Sequence, residues 1–304
     1  MPTPIVSTLW KPRRLGVDQD GPAWARALDQ EPWQATSREL KRDDGVRVLA
    51  ATLKGQPVVL KFYRHDSIFV RVRSRLGMAA GDRHWAGAAL LAAEGLPCAQ
   101  TLALLSRREG RQREDCLVLD RLEGPTLLEC MALAHRGQMP VRRQHTLARA
   151  VGLEVGCLLA AGLHNRDHKP SNLIVGFDAQ DPDAMPTIAV ADAQGVRRLE
   201  GDKARHTIRT QATLIIEAIG TGVTPRRALI AAALRAAVAA YTARRFAGLS
   251  VEEALRMPKE DERRILAVLP SGTALSAWPM IAQRIRLHGD PRPKVDPLAG
   301  SRTR

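Results

Sequence analysis

The sequence predicts an α+β chain in two parts: an N-terminal lobe built on an antiparallel sheet with one helix, then a mainly helical C-terminal lobe. Three observations carry this. Short β-prone runs separated by Gly-containing turns occupy residues 39–63 and recur at 102–119. One helical pattern, roughly Ala79 to Ala93, interrupts them. Beyond Gly124 the periodicity becomes helical, broken by short apolar runs at Leu173–Val175 and Thr187–Ala191. With 304 residues and 45% hydrophobic content, the chain can fill one large or two small cores. The expected division is an N-terminal extension at 1–37, a sheet lobe at 38–122, a helical lobe at 123–288 and a basic disordered tail at 289–304.

Taken in order, residues 1–16 read as irregular, with three prolines and clustered charge. Asp20-Gly21-Pro22 opens a short helix to about Gln30, with Pro22 where its missing N–H costs nothing. A weak strand, Glu39 to Arg42, precedes Val46–Leu53 and Pro57–Tyr63, which follow the Asp44-Gly45 and Lys54-Gly55 turns. Arg64 to Met78 interleaves Arg64, Arg71, Arg73 and Arg75 with Ile68, Phe69, Val70, Val72 and Leu76. This mixture suits a membrane interface, or equally a basic loop feeding a helix. That helix ends at Gly95, with Pro97 beyond. Leu102–Leu105 and Cys116–Leu119 read as strands joined by a charged turn from Arg107 to Asp115, and Asp120 to Gly124 as the hinge to the second lobe. Helices follow at Thr126–Ala134 and Arg142–Gly162, and residues 176–186 read as a loop. Thr224-Pro225 caps a long helix to about Phe246, Ser250 with Glu253 forms a capping box, Pro258 starts another helix, and Thr273–Leu287 is the last. There is no internal repeat.

Lys and Arg total 46 against 32 Asp and Glu, giving a formal charge of +14. That balance suits an anionic partner, whether nucleic acid, membrane headgroups or a phosphorylated glycolipid, although an arginine-rich proteome produces the same excess. Aromatic residues make up only 4%, too few for the stacking platforms of single-strand binders, so no specific nucleic-acid partner is expected. Cys98, Cys116, Cys130 and Cys157 have neither zinc-site spacing nor the density of a disulfide scaffold, and read as small apolar residues in a reducing cytoplasm. No uncharged apolar run reaches spanning length, so any membrane attachment is expected to be peripheral.

Chemistry concentrates in Leu163-His-Asn-Arg-Asp-His-Lys-Pro-Ser-Asn-Leu-Ile-Val175. Asp167, Lys169 at plus two and Asn172 at plus five, followed by an apolar run, have the spacing of a protein-kinase-type catalytic loop. Phosphoryl transfer needs a hydroxyl aimed in line at phosphorus and cations where negative charge spreads. A carboxylate, an ammonium and an amide oxygen on one tight loop supply those parts; a surface turn at Lys169-Pro170-Ser171 is the plainer reading. In Val58-Val-Leu-Lys-Phe-Tyr63, alternation puts Val59, Lys61 and Tyr63 on one face. A lysine inside an apolar strand needs a partner, and a nucleotide phosphate is one; snorkelling from an edge strand is the other account. In the kinase pattern Lys61 grips the α- and β-phosphates and Val59 roofs the adenine. Asp192, ending the strand at 187–191, would chelate magnesium, with Asn172 holding a second ion.

Arg83-His84-Trp85, Leu90 to Pro97, Leu122-Glu123-Gly124, Asn165-Arg166-Asp167 and Asp192-Ala-Gln-Gly-Val-Arg-Arg198 together resemble the bacterial lipopolysaccharide core (Kdo/heptose) kinase family over about residues 38–245. The resemblance implies a bilobal protein-kinase-like fold and ATP- and Mg2+-dependent phosphorylation of a sugar hydroxyl on a glycolipid. The implied site has Asp167 and Lys169 as catalytic residues, Lys61, Val59 and Asp120 on the nucleotide, and Asn172 and Asp192 on the metal. The implied location is cytoplasmic, peripheral on the inner face of the inner membrane where a membrane is engaged. Alternatives are a kinase for a protein or another small molecule, or a nucleotide-binding pseudokinase. The chain departs from the pattern at His84, where a glutamate that would pair with Lys61 is common, at Asn165 for histidine, and at Ala193 for an aromatic. It also lacks a Gly-x-Gly-x-x-Gly loop.

Overall fold

Strand alternation explains how the N-terminal part folds. In chain order it forms β1 (Lys11–Leu15), α1 (Gly21–Gln30), α2 (Trp33–Thr36), β2 (Arg38–Asp43), β3 (Val46–Leu53), β4 (Gln56–Arg64), α3 (Ala80–Ala93), β5 (Thr101–Glu109) and β6 (Gln112–Asp120). The strands make one antiparallel sheet in the order β1-β5-β6-β4-β3-β2. The computed structural model describes residues 10–16, 20–43, 45–65, 78–109, 112–181, 183–200, 203–269 and 279–283. The expectations for Arg71, Arg73 and Arg75 and for the basic tail lie outside the described residues, as does most of the helix expected at 273–287. Residues 279–283 are helical.

Both faces of the sheet are covered, so its central strands are apolar at successive positions. Val58, Leu60 and Phe62 of β4, with Cys116 and Val118 of β6, face a core closed by Trp10, Trp24 and Trp33. Trp33 stacks on Phe62 with ring centroids 5.8 Å apart, and its indole N–H donates to the Leu28 carbonyl at 2.9 Å. Asp20 caps α1 by accepting from the Ala23 N–H. On the opposite face Val59, Tyr63, Leu104, Leu117 and Leu119 pack with Ala80 and Trp85 of α3. Each fully buried leucine, such as Leu60 or Leu104, contributes about 1.5–3 kcal/mol.

The remaining elements are α4 (Leu127–His135), α5 (Val141–Ala160), β7 (Leu163–Asn165), β8 (Leu173–Gly176), β9 (Thr187–Val190), β10 (Val196–Arg198), α6 (Lys203–Gly220), α7 (Arg227–Phe246), α8 (Val251–Leu255) and α9 (Lys259–Ala267). Capping boxes at Thr126/Glu129 and Ser250/Glu253 start α4 and α8. The core pair is α5 against α7. Gly152 and Gly156 let the α5 backbone meet Ala233 and Ala237, where an added Cβ would collide with backbone carbonyls. The alanine-rich stretch of α7 is thus a close-approach surface, with Ala236, Ala237, Ala239 and Ala240 all buried. The chain divides into two compact units, Met1–Ala88 with Ala99–Leu122 and Ala89–Cys98 with Glu123–Arg304. This is an α+β bilobal architecture with protein-kinase-like topology.

Three sequence expectations need correction. Residues 11–15 are not irregular: they form β1 and pair with β5. Arg13 makes this possible, because two buried carboxylates, Asp82 and Asp115, receive its guanidinium at 3.1 and 2.7 Å. Nor is most of Arg107 to Asp115 a turn: β5 runs on to Glu109 and β6 begins at Gln112, with Arg107 paired across to Glu114 at 2.8 Å, so the charges serve as cross-strand partners. Finally, α7 begins at Arg227 with Arg226 at its N-cap, later than Thr224-Pro225 implies.

Candidate functional site

The loop between β7 and β8 carries Asp167, Lys169 and Asn172, and short antiparallel ladders hold both its ends. Asn165 of β7 pairs with Val196 of β10, and Leu173 of β8 pairs with Val190 of β9. Within the loop the Asp167 carbonyl accepts twice, from the Lys169 N–H at 2.8 Å and the Asn172 side-chain N–H at 2.9 Å. The Asn172 N–H in turn donates to the Lys169 carbonyl at 2.9 Å. The amide nitrogen of Asn172 is therefore spent inside the loop, and its Oδ1 is the group left for a cation. The Asp167 carboxylate is one-third exposed, with the Arg166 guanidinium 3.4 Å away. Lys169 is exposed.

Asp192 comes to the same place through the backbone. The Ala191 N–H donates to the Asn172 carbonyl at 2.9 Å, so the chain positions of the two expected metal ligands are one residue from a direct ladder bond. Asp192 Oδ1 accepts from the Gln194 N–H at 3.1 Å, which starts the turn leading to Gly195. That turn lies against the catalytic-type loop: the Gly195 carbonyl accepts from the Arg166 N–H at 3.1 Å. A Cβ on Gly195 would sit 2.8 Å from the Asp167 nitrogen, so only glycine fits. Among the described residues no group of three or more His, Cys, Asp or Glu side chains could hold a metal. An amide oxygen and a carboxylate are nevertheless the hard donors that magnesium takes when phosphates and waters complete its octahedron. The residues fit an ion that arrives with its own oxygen ligands.

The loop is also strapped from outside. Ser171 donates its N–H and its hydroxyl to the two Glu217 carboxylate oxygens at 2.8 and 2.6 Å, and Thr213 Oγ1 donates to the His168 carbonyl at 3.1 Å. Both partners lie on α6. His168 is itself fully buried, with Nε2 2.9 Å from Glu154 Oε2 on α5. Asn165 Oδ1 accepts from the Asp167 N–H at 3.0 Å. Glu154 and Glu217 were not legible as partners of this loop, because each reaches it from a distant segment; His168 and Gly195 stand within the motifs quoted above, but their buried contacts carry no sequence signal.

In the N-terminal unit, Lys61 lies on β4, flanked by β3 and β6, so it is not an edge-strand lysine. It is 7% exposed and shares its face with Val59 and Tyr63. That is the face on which α3 packs: a Cβ on Gly81 would meet Leu104 and Tyr63. His84 is three residues on, on the same side of the helix, and wholly buried. Asp82, the nearest carboxylate on α3, is engaged by Arg13 at 3.1 Å and Arg14 at 3.3 Å. Asp120 ends β6. Its carboxylate accepts from the Gln100 N–H, while burial pushes the carboxyl up, an effect that this hydrogen bond partly offsets. The Asp120 N–H donates in return to the Gln100 carbonyl at 3.1 Å.

An apolar cavity of about 170 Å³ lies elsewhere in the C-terminal unit, between α4, α5, α6 and α7, and none of the candidate residues lines it. No helix among the described residues is long and apolar enough to cross a membrane. No protein-family model matches the chain, and no curated protein does. It is similar, at 18% identity and a TM-score of 0.49, over 84% of its length and 92% of the other chain, to a solved structure described as WaaP in complex with acyl carrier protein.

Proposed function

We propose that this protein is an ATP- and Mg2+-dependent phosphotransferase whose acceptor is a sugar hydroxyl of the lipopolysaccharide inner core or a related glycolipid. The observation that carries this reading is the loop itself: Asn172 donates to the Asp167 carbonyl, and Ala191, the residue before Asp192, donates to the Asn172 carbonyl. Asp167, partly exposed and seated by Asn165, orients the acceptor hydroxyl and takes its proton. Lys169 offsets charge on the transferred group. Lys61 and Val59 engage the nucleotide, joined by Asp120. Asn172 and Asp192 hold magnesium, which when bound neutralises charge on the phosphates. The acceptor class rests on the sequence resemblance and on the +14 charge, which suits an anionic glycolipid at a membrane surface on the cytoplasmic side.

The test is magnesium-dependent ATP consumption with and without delipidated core oligosaccharide. Consumption is expected to rise with the oligosaccharide, and Asp167→Asn is expected to cut kcat by about two orders of magnitude or more while leaving ATP binding intact. Turnover that survives the substitution removes Asp167 as the base. Buried His84 in place of the glutamate favours a second reading, nucleotide binding without transfer. A thermal shift with ATP and magnesium but no phosphorylated product would select it.

A further inference from the structure

The pair Glu154 and His168 has no place in the chemistry above. Both side chains are buried, at 1% and 0% exposure. Glu154 Oε2 is 2.9 Å from His168 Nε2, and Oε1 has no hydrogen-bond partner. A carboxylate held this dry, with one oxygen unpaired, is costly unless its one contact matters. That contact leads directly to Asp167. His168 Nδ1 lies 3.5 Å from Asn165 Nδ2, and Asn165 Oδ1 accepts the Asp167 N–H.

One obligate donor sets every proton along this path. The Asp167 N–H can only donate, so Asn165 must turn its oxygen toward it. The Asn165 nitrogen, also a donor, then faces His168 Nδ1, which must accept. The imidazole proton is left on Nε2, where Glu154 accepts it. We propose that Glu154 is a positioning residue for Asp167: by holding the His168 proton on Nε2 it fixes the Asn165 amide, and so the backbone seat of the carboxylate. The effect on transfer rests on the reading of Asp167 as the base; the effect on the seat does not.

Two variants separate the roles. Glu154→Gln keeps an acceptor oxygen for Nε2–H, whereas Glu154→Leu keeps the volume and removes the acceptor. Nitrogen-15 NMR of the full-length protein reads the His168 tautomer, and hydrogen exchange reads the Asp167 amide. The expected result is the Nε2–H tautomer in the parent and in Glu154→Gln, with the Asp167 amide exchanging near the parental rate in Glu154→Gln and at least about tenfold faster in Glu154→Leu. In the transfer assay Glu154→Leu should lower kcat about tenfold with KM for ATP nearly unchanged, and Glu154→Gln should restore it. A parent ring carrying its proton on Nδ1, or on both nitrogens, overturns the proposal without any variant. So does an Asp167 amide that exchanges equally fast in both variants. If the parent transfers no phosphate, the proposed function fails, and the tautomer and exchange measurements still decide the relay.

Discussion

Asp120 separates two demands on one side chain. It ends a strand, where its carboxylate closes the Gln100 N–H, and half-burial raises its carboxyl above the ordinary 3.8. A carboxyl whose folded value exceeds its unfolded one binds its proton more tightly in the folded state, so stability falls as pH rises through that window. Asp120→Asn keeps an oxygen for Gln100 and carries no charge. It is therefore expected to melt at a higher temperature than the parent at pH 7, with the gain fading as pH is lowered through the raised value toward 3.8. Thermal melts at pH 7 and near pH 4 check this; equal melting points at pH 7 would mean the charge costs nothing where it sits. The same comparison marks what the residue level could and could not reveal. The loop that carries Asp167, Lys169 and Asn172 was legible because a local loop needs local spacing. Asn165 was legible only as a departure from a pattern, although its amide seats the Asp167 N–H. Glu154, Gly195 and Glu217 reach the loop from other elements, and no local pattern announces such contacts.

Elements built on alternation and turns were legible in the sequence, whereas β1, which was not, needed a partner far away. β3 and β4 follow from apolar alternation and the Lys54-Gly55 turn. β1 reads as Lys-Pro-Arg-Arg-Leu, a composition with no strand signal. What makes it a strand is a buried charge cluster: Arg13 bridges Asp82 of α3 and Asp115 of β6, and His65 Nε2 meets the same Asp115 oxygen at 2.8 Å. Removing one member of such a group leaves buried carboxylates short of counter-charge, a loss of about 3–5 kcal/mol for a fully buried pair. Arg14 and Arg113 also touch these carboxylates, so the lower end is the expectation for Arg13→Met. Four of the five tryptophans, Trp10, Trp24, Trp33 and Trp85, lie in this unit, so intrinsic fluorescence reports its unfolding. The unfolding free energy read from that transition should fall by about 3 kcal/mol in Arg13→Met, and Asp82→Asn in that background should recover part of the loss. An additive second loss would mean the carboxylate was not held by Arg13.

At the scale of the whole molecule, the property least explained by folding is charge. A formal +14 opposes compaction through self-repulsion, and neither packed core needs it. The described structure absorbs part of the arginine content: Arg13, Arg107 and Arg149 are paired with Asp82, Glu114 and Glu262. Much of the rest is solvent-facing, including Arg64 at the exposed end of β4 and Arg197 and Arg198 on β10. An acceptor carried on an anionic surface gives that excess a use, since each arginine near such a surface contributes up to about 1 kcal/mol, screened by salt. Binding to vesicles rich in anionic lipid is therefore expected at low ionic strength and should weaken steeply toward 0.5 M salt, roughly as the Debye length shrinks. Arg64, Arg71, Arg73 and Arg75 stand among apolar residues in the sequence and are the substitutions to make. Replacing all four with Gln should release the protein from such vesicles at physiological salt, while ATP consumption with soluble oligosaccharide changes little. If binding persists in the quadruple variant and disappears on removing residues 289–304, the contact belongs to the basic tail. If the parent does not bind at low salt, the charge is a feature of composition, and the acceptor must be reached without the membrane's help.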